Sequence, residues 1–88
     1  MARVRVRYFA LLRDIFGKSE EILEINGTLS DLISILEKRN PKFKEILTRV
    51  RVILIAINGE LIEQQLKKSE IILKNNDVID LMPPPAGG

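Results

Sequence analysis

The sequence closes on two glycines, Gly87 and Gly88, behind Pro83, Pro84, Pro85 and Ala86. Such glycines pack nothing and lose much backbone entropy when ordered, so a stable core does not call for them. Without side chains they suit a narrow channel in another protein. The group a tail of this kind would deliver is the Gly88 carboxylate. A carboxylate is a poor acyl donor until its oxygen becomes a leaving group, for example by adenylation with ATP. The acyl adenylate is then open to a sulfur or nitrogen nucleophile. Each proline ring fixes φ near about −65°, and six extended residues reach roughly 18 Å. The plain alternative is a frayed, Gly-rich end. The strand-like run Asp77-Val78-Ile79-Asp80-Leu81-Met82 directly before the prolines speaks against it.

Composition narrows the chemistry further. There is no Cys and no His among the 88 residues. Disulfides, thiolate catalysis, Cys/His zinc sites and Ser-His-Asp triads are therefore beyond this chain alone. Any sulfur it handles must ride on another atom. Fourteen basic and twelve acidic residues give a net charge of +2, too little to point to nucleic acid. Three Phe, one Tyr and no Trp offer few stacking platforms for bases. The N-terminus alternates charged and apolar residues from Ala2 onward, unlike a signal peptide. The longest near-continuous apolar run, Val52 to Ile57, is too short to span a bilayer. The expectation is a cytoplasmic protein, with no membrane or nucleic-acid partner and no cofactor or metal of its own.

These residues must be positioned by one domain, since a chain of this length buries roughly 60 to 65% of its unfolded surface in one modest core. Arg3 to Phe9 alternates, with Val4, Val6 and Tyr8 on one side and Arg3, Arg5 and Arg7 on the other, which predicts a half-buried strand. Ala10 to Phe16 reads as a helical turn or packed loop stopped by Gly17, and Glu20 to Ile25 as a second strand. Thr28 with Asp31 predicts a helix start, and Leu29, Leu32, Ile33 and Leu36 form its apolar stripe. Pro41 ends that helix by Asn40 and opens a second, short one, with Phe43, Ile46 and Leu47 inward. Val52 to Ile57 reads as a strand, Asn58-Gly59 as a type I′ hairpin turn, and Glu60 to Ile62 as a short return strand. Gln64 to Leu73 reads as an irregular crossing with one helical turn at most. Asn75-Asn76-Asp77 is a turn and Val78 to Met82 the last strand. This order predicts an α+β fold of the β-grasp, ubiquitin-like kind. It has a mixed sheet of four to five strands and one main helix on one face, with the first and last strands parallel at the centre. The domain would span 1–82 and the extended tail 83–88.

Tyr8-Phe9-Ala10-Leu11-Leu12-Arg13-Asp14, Asn58-Gly59, and Asp77 through Met82 followed by Pro83-Pro84-Pro85-Ala86-Gly87-Gly88 together resemble the small, sulfur-carrier subunit of molybdopterin synthase. The likeness covers the whole chain and is most specific in the final dozen residues. It implies that a separate adenylating enzyme of the ubiquitin-activating type uses ATP to activate Gly88. A sulfur donor then makes a thiocarboxylate. The carrier, a sulfur-donating subunit of a heterotetrameric synthase, binds the large catalytic subunit and threads its tail into it. There Gly88 gives sulfur to a pterin precursor. Gly87, Ala86, Pro84, Met82, Val78 and Phe9 would contact the partner. Two departures bear on that partner. Members of the family carry aromatics where Leu81 and Met82 stand, and Gln64 to Leu73 is longer and more polar than usual. Three other functions fit a β-grasp chain ending in Gly-Gly. One is the thiamine-pathway sulfur carrier, usually shorter and without the Pro-Pro pair. Another is a protein modifier conjugated through Gly88 to lysine. The third is a passive interaction domain.

Two surface features remain. Arg3, Arg5 and Arg7 share a strand face, with Glu20, Glu24 and Asp80 on neighbouring strands. Solvent-side ion pairs account for them; docking to an acidic partner is the functional alternative. If Asp80 faces out, so do Val78, Met82 and, by parity with Arg7, Phe9. Part of Val52 to Ile57 must then lie off the core as well. Such an apolar patch marks either an interface or ground covered by loops or by Gln64 to Leu73.

Overall fold

In the computed structural model, which describes residues 1–50, 53–63 and 67–83, alternation becomes sheet geometry. Strand β1 runs Ala2–Tyr8, and its residues are buried and exposed in strict turn. Helix α1 (Leu11–Phe16) ends on Gly17, whose φ of 71° is the left-handed conformation that glycine adopts without strain. Strand β2 (Glu20–Ile25) returns antiparallel to β1, Ala2 opposite Ile25 and Arg7 opposite Glu20. Helix α2 (Leu29–Arg39) opens on a capping box. The Thr28 side chain accepts from the Asp31 backbone N–H, and the Asp31 carboxylate accepts from the Thr28 backbone N–H. Asn40 separates α2 from α3 (Pro41–Val50): its Oδ1 accepts from Lys42 N–H at 3.1 Å and its Nδ2 donates to the Ile15 carbonyl at 2.8 Å. With ten residues, α3 is nearly as long as α2, not the short helix expected.

Strands β3 (Leu54–Ile57) and β4 (Glu60–Leu61) flank the Asn58-Gly59 turn, where φ is 52° and 86°, as a type I′ turn needs. A single 3-10 turn, Lys68–Glu70, follows, and β5 is Val78–Met82. The sheet order is β2-β1-β5-β3-β4. β1 and β5 are parallel at its centre, and every other pairing is antiparallel. This is the β-grasp arrangement. β1 and β3 differ from expectation at their ends: β1 stops at Tyr8, before Phe9, and β3 begins at Leu54. Val52 and residues 64–66 of the crossing lie outside the described residues, as do Pro84, Pro85, Ala86, Gly87 and Gly88.

The core lies on one side of the sheet. Val4, Val6, Tyr8, Ile25, Ile55, Ile79 and Leu81 meet Leu29, Leu32 and Leu36 of α2 and Phe43 of α3. Tyr8 stacks nearly parallel on Phe16 at 4.1 Å between ring centroids, and Phe16 meets Phe43 at 5.2 Å in the edge geometry aromatic pairs prefer. The Tyr8 hydroxyl donates to Glu21, which also receives Lys18 and Arg39. The crossing after β4 packs on this same side. Thr28 bridges Ile72, and Leu73 N–H donates to the Gly27 carbonyl at 2.7 Å. Among the described residues, the other face of the sheet is left open. No helix among the described residues is long and apolar enough to cross a membrane.

Candidate docking face and tail root

The open face is ordered in rows by the strand register. One row carries Ile22, Arg5 and Val78, paired across β2, β1 and β5. The next carries Glu20, Arg7, Asp80, Ala56 and Leu61, spanning all five strands. Nearest the tail, Met82 stands opposite Leu54. Ile22 is 49% exposed and Leu61 63%, high for large aliphatic side chains on a sheet. Val78, Met82, Leu54 and Phe9 are half-buried. The structure thus places Phe9, Val78 and Met82 together on one face, as their parity predicts. Ile22, Leu54 and Leu61 join them. Ile22 was accessible to the same period-two argument, since it lies two residues from both Glu20 and Glu24 and shares their face. Leu61 was not, because its facing depends on the Asn58-Gly59 turn length.

The base of β5 is held by the polar turn before it. Asn58 accepts from Val78 N–H at 2.9 Å and donates to Asp77 at 2.9 Å. Arg3 N–H donates to the Asn75 side chain at 2.8 Å, and Asn76 N–H to the Arg3 carbonyl at 2.9 Å. At the other end, Phe9 N–H donates to the Leu81 carbonyl at 3.2 Å, one residue before Met82. Ala10 then turns the chain away with φ 52° and ψ −127°, a conformation usually left to glycine. Tail root and Phe9 are thereby fixed side by side.

The charges correct the sequence reading in one respect. Solvent-side ion pairs were expected, and Arg5–Glu20 at 3.0 Å between two half-exposed side chains is one. Asp80 is different: it is buried, only 7% exposed, though it sits on the open face. Arg7 lies over it, with Nε to Oδ1 at 2.6 Å and Nη2 to Oδ2 at 2.8 Å. The hydrogen bond and charge of Asp80, set against a small cost of burial, hold the Arg7 guanidinium above its ordinary pKa. The guanidinium also stands 5.5 Å from the Phe9 ring centroid, within cation–π range. The parallel register that sets Arg7 beside Asp80 is a long-range fact, 73 residues apart in sequence.

What this arrangement can do is present a sheet face that is apolar around Phe9, Leu54 and Met82, charged at Arg5, Arg7 and Glu20, and continuous with the root of the tail. Comparison with known proteins gives the family. The profile of the ThiS family matches residues 6–88. The molybdopterin synthase sulfur carrier subunit of Dictyostelium discoideum is 25% identical over 84 residues, 96% of this chain and 94% of that protein. The small archaeal modifier protein 1 of Methanosarcina acetivorans superposes with a TM-score of 0.80 at 31% identity, covering 100% of this chain and 98% of that one. A complex of subunits 1 and 2 of the molybdopterin-converting factor from Helicobacter pylori gives a TM-score of 0.66 at 29% identity, covering 98% and 99%. The chain belongs to the ThiS family of β-grasp proteins and resembles the molybdopterin synthase sulfur carrier subunit.

Proposed function

We propose that this protein is the thiocarboxylate carrier of a molybdopterin synthase. An adenylating partner uses ATP to convert the Gly88 carboxylate into an acyl adenylate, releasing pyrophosphate. Hydrosulfide supplied by a donor then attacks the acyl carbon, the acyl–oxygen bond to AMP breaks, and AMP leaves. The resulting thiocarboxylate is carried into the large synthase subunit, where it gives sulfur to a pterin precursor on the way to the dithiolene that holds the metal. The sheet face bearing Phe9, Val78 and Met82 seats on the large subunit, while Pro84, Ala86 and Gly87 line the threaded stem. The observation that carries this reading is the continuity of the apolar end of this face, Phe9, Leu54 and Met82, with the root of the tail, in a chain whose family match extends to residue 88. The Helicobacter pylori relative, solved in complex with subunit 2 of its molybdopterin-converting factor, supports the same kind of partner.

The likeness to an archaeal modifier protein over the full chain favours a second reading, in which activated Gly88 is passed to lysine amines. Protein isolated from its native host separates the two. A carrier is expected to show a form about 16 Da heavier, from sulfur replacing oxygen, a covalent change that conformation cannot imitate. Removing Gly88, or adding one residue after it, should abolish dithiolene formation with the large subunit and leave stability within about 0.5 kcal/mol, as for surface changes. Full transfer by the extended variant would refute the proposal. Gly88 found on lysines of cell proteins, with no dithiolene formed by the parent, would establish the modifier.

A further inference from the structure

The middle of the open face holds a charged pair where apolar contact would be expected. Asp80 is shielded, while the Arg7 side chain above it is 44% exposed. In that row Arg7 and Glu20, whose side chain is 45% exposed and paired with Arg5, are the polar groups that a docking partner meets first. A guanidinium has five N–H donors, and Asp80 takes one from Nε and one from Nη2. The donors of Nη1 and the second of Nη2 have no acceptor within the described protein. Asp80 on one side and the Phe9 ring at 5.5 Å on another hold the plane in one orientation. A donor fixed in advance loses little entropy when it binds.

Burying this pair under a partner has a definite electrostatic consequence. A lone arginine covered by a protein surface leaves an uncompensated charge, which is strongly unfavourable. Here Asp80 already supplies the counter-charge at hydrogen-bond distance. The unit is neutral and can be desolvated. A second carboxylate brought by the partner would leave net negative charge in a dry contact and stand close to Asp80, which is disfavoured. Neutral acceptors carry no such penalty. A wholly apolar partner surface would bury the remaining N–H groups without acceptors, which is costly.

Building on the carrier reading above, we infer that Arg7, held by Asp80, is a specificity-determining contact that hydrogen-bonds neutral carbonyl oxygens, backbone or amide, on the large synthase subunit. The contact selects a large subunit with carbonyls opposite this row over one that is apolar there.

The test is calorimetric titration of the full chain with the recombinant large subunit from the same source, at low and high ionic strength. The parent is expected to bind with an affinity that changes less than about threefold with salt, because a neutral pair meets neutral acceptors. Arg7→Lys keeps the charge opposite Asp80 but loses the planar fork; it should fold normally and bind about tenfold more weakly. The double variant R7L/D80A replaces the pair with apolar side chains, which protein interiors often tolerate, and should also bind at least tenfold more weakly. A merely structural role would lower the unfolding temperature of both variants and leave the affinity of the folded protein unchanged, which would overturn the inference. Tight binding by R7L/D80A, or a steep salt dependence showing a partner carboxylate, would do the same. Failure of the parent itself to bind would instead overturn the carrier reading on which this contact rests.

Discussion

The two faces of strand β1 are made from the same seven residues and serve opposite ends. On the helix side, Val4, Val6 and Tyr8 are almost wholly buried, and three of the four aromatic residues, Tyr8, Phe16 and Phe43, pack together. The one polar group there, the Tyr8 hydroxyl, has its partner in Glu21, which is in turn held by Lys18 and Arg39. On the open side, Arg3, Arg5 and Arg7 alternate with those residues, the fourth aromatic, Phe9, lies beside Arg7, and Ile22 and Leu61 stay exposed. The closed face is complete in itself. On the proposed reading, the open face, which no helix among the described residues covers, is completed by a partner. In a protein without Cys or His, that asymmetry supports the proposed reading, in which the folded domain works through contact and the covalent chemistry falls to Gly88.

The sharpest way to break the contrast is to damage the closed face alone. Phe43 is fully buried, on α3, against Phe16. Phe43→Ala should destabilise the domain by about 3–5 kcal/mol, the cost of lost burial plus the cavity left behind. Binding of the large subunit by the molecules that remain folded should be unchanged. Chemical denaturation with a parallel titration checks this; a loss of intrinsic affinity would mean that the two faces are coupled.

A smaller effect is expected at the hydroxyl of Tyr8. Burial, together with the hydrogen bond to Glu21, pushes its phenol well above the ordinary range. Burial also raises the Glu21 carboxyl, but the Tyr8 hydrogen bond with Arg39 and Lys18 outweighs it, so its pKa ends below the ordinary value. The signs follow by linkage. Glu21, depressed in the folded state, stabilises fully above the ordinary glutamate pKa of about 4.3, and this is lost as pH falls through the folded value. Tyr8, raised in the folded state, stabilises fully below the ordinary phenol pKa of about 10, and this is lost as pH rises above it. Tyr8→Phe should cost about 1.5–3 kcal/mol near neutrality, as for a hydrogen bond to a charged group, and should flatten the alkaline limb of the stability curve. Because Tyr8 is the chain's single tyrosine, its ultraviolet titration reads the phenol directly. Ionisation at the ordinary value in the folded protein would contradict the network.

Most of the closed face was legible in the sequence. The alternation of Val4, Val6 and Tyr8, the Thr28-Asp31 start of α2 and the Asn58-Gly59 turn are each local rules with one structural solution. The limits of β1 and β3 were less so, since strand ends depend on neighbouring strands rather than on propensity. The burial of Asp80 was not legible. Its parity places it on the open face, and only the parallel register of β1 and β5, set by the whole crossover, puts Arg7 on top of it. For the same reason Leu54 and Leu61 could not be assigned to the patch, although an off-core part of the Val52 to Ile57 run was required. Phe9, Val78 and Met82 were legible because each lies within two residues of a clearly alternating strand.

The finest comparison lies within the open face, between its tail end and its far end. Met82 stands opposite Leu54 at the root of the tail, whereas Ile22 belongs to edge strand β2, in the row of Arg5 and Val78. If the tail threads the large subunit, contact is tightest around its stem and thins toward β2, where a rim residue stays partly wet. Met82→Asp puts an unpaired charge into a desolvated contact and should weaken binding by more than about 1.4 kcal/mol, or tenfold. Ile22→Thr keeps the β-branched shape the strand favours and, at a half-exposed site, should leave stability within about 0.5 kcal/mol. Its effect on affinity should stay below about threefold, as for the near-neutral residues that surround a hot spot. Calorimetry on both variants, with thermal unfolding as a control, orders the two ends. If Ile22→Thr weakens binding as much as Met82→Asp, the footprint is centred on β1 and β2 instead of the tail root, and the partner approaches across the arginine rows.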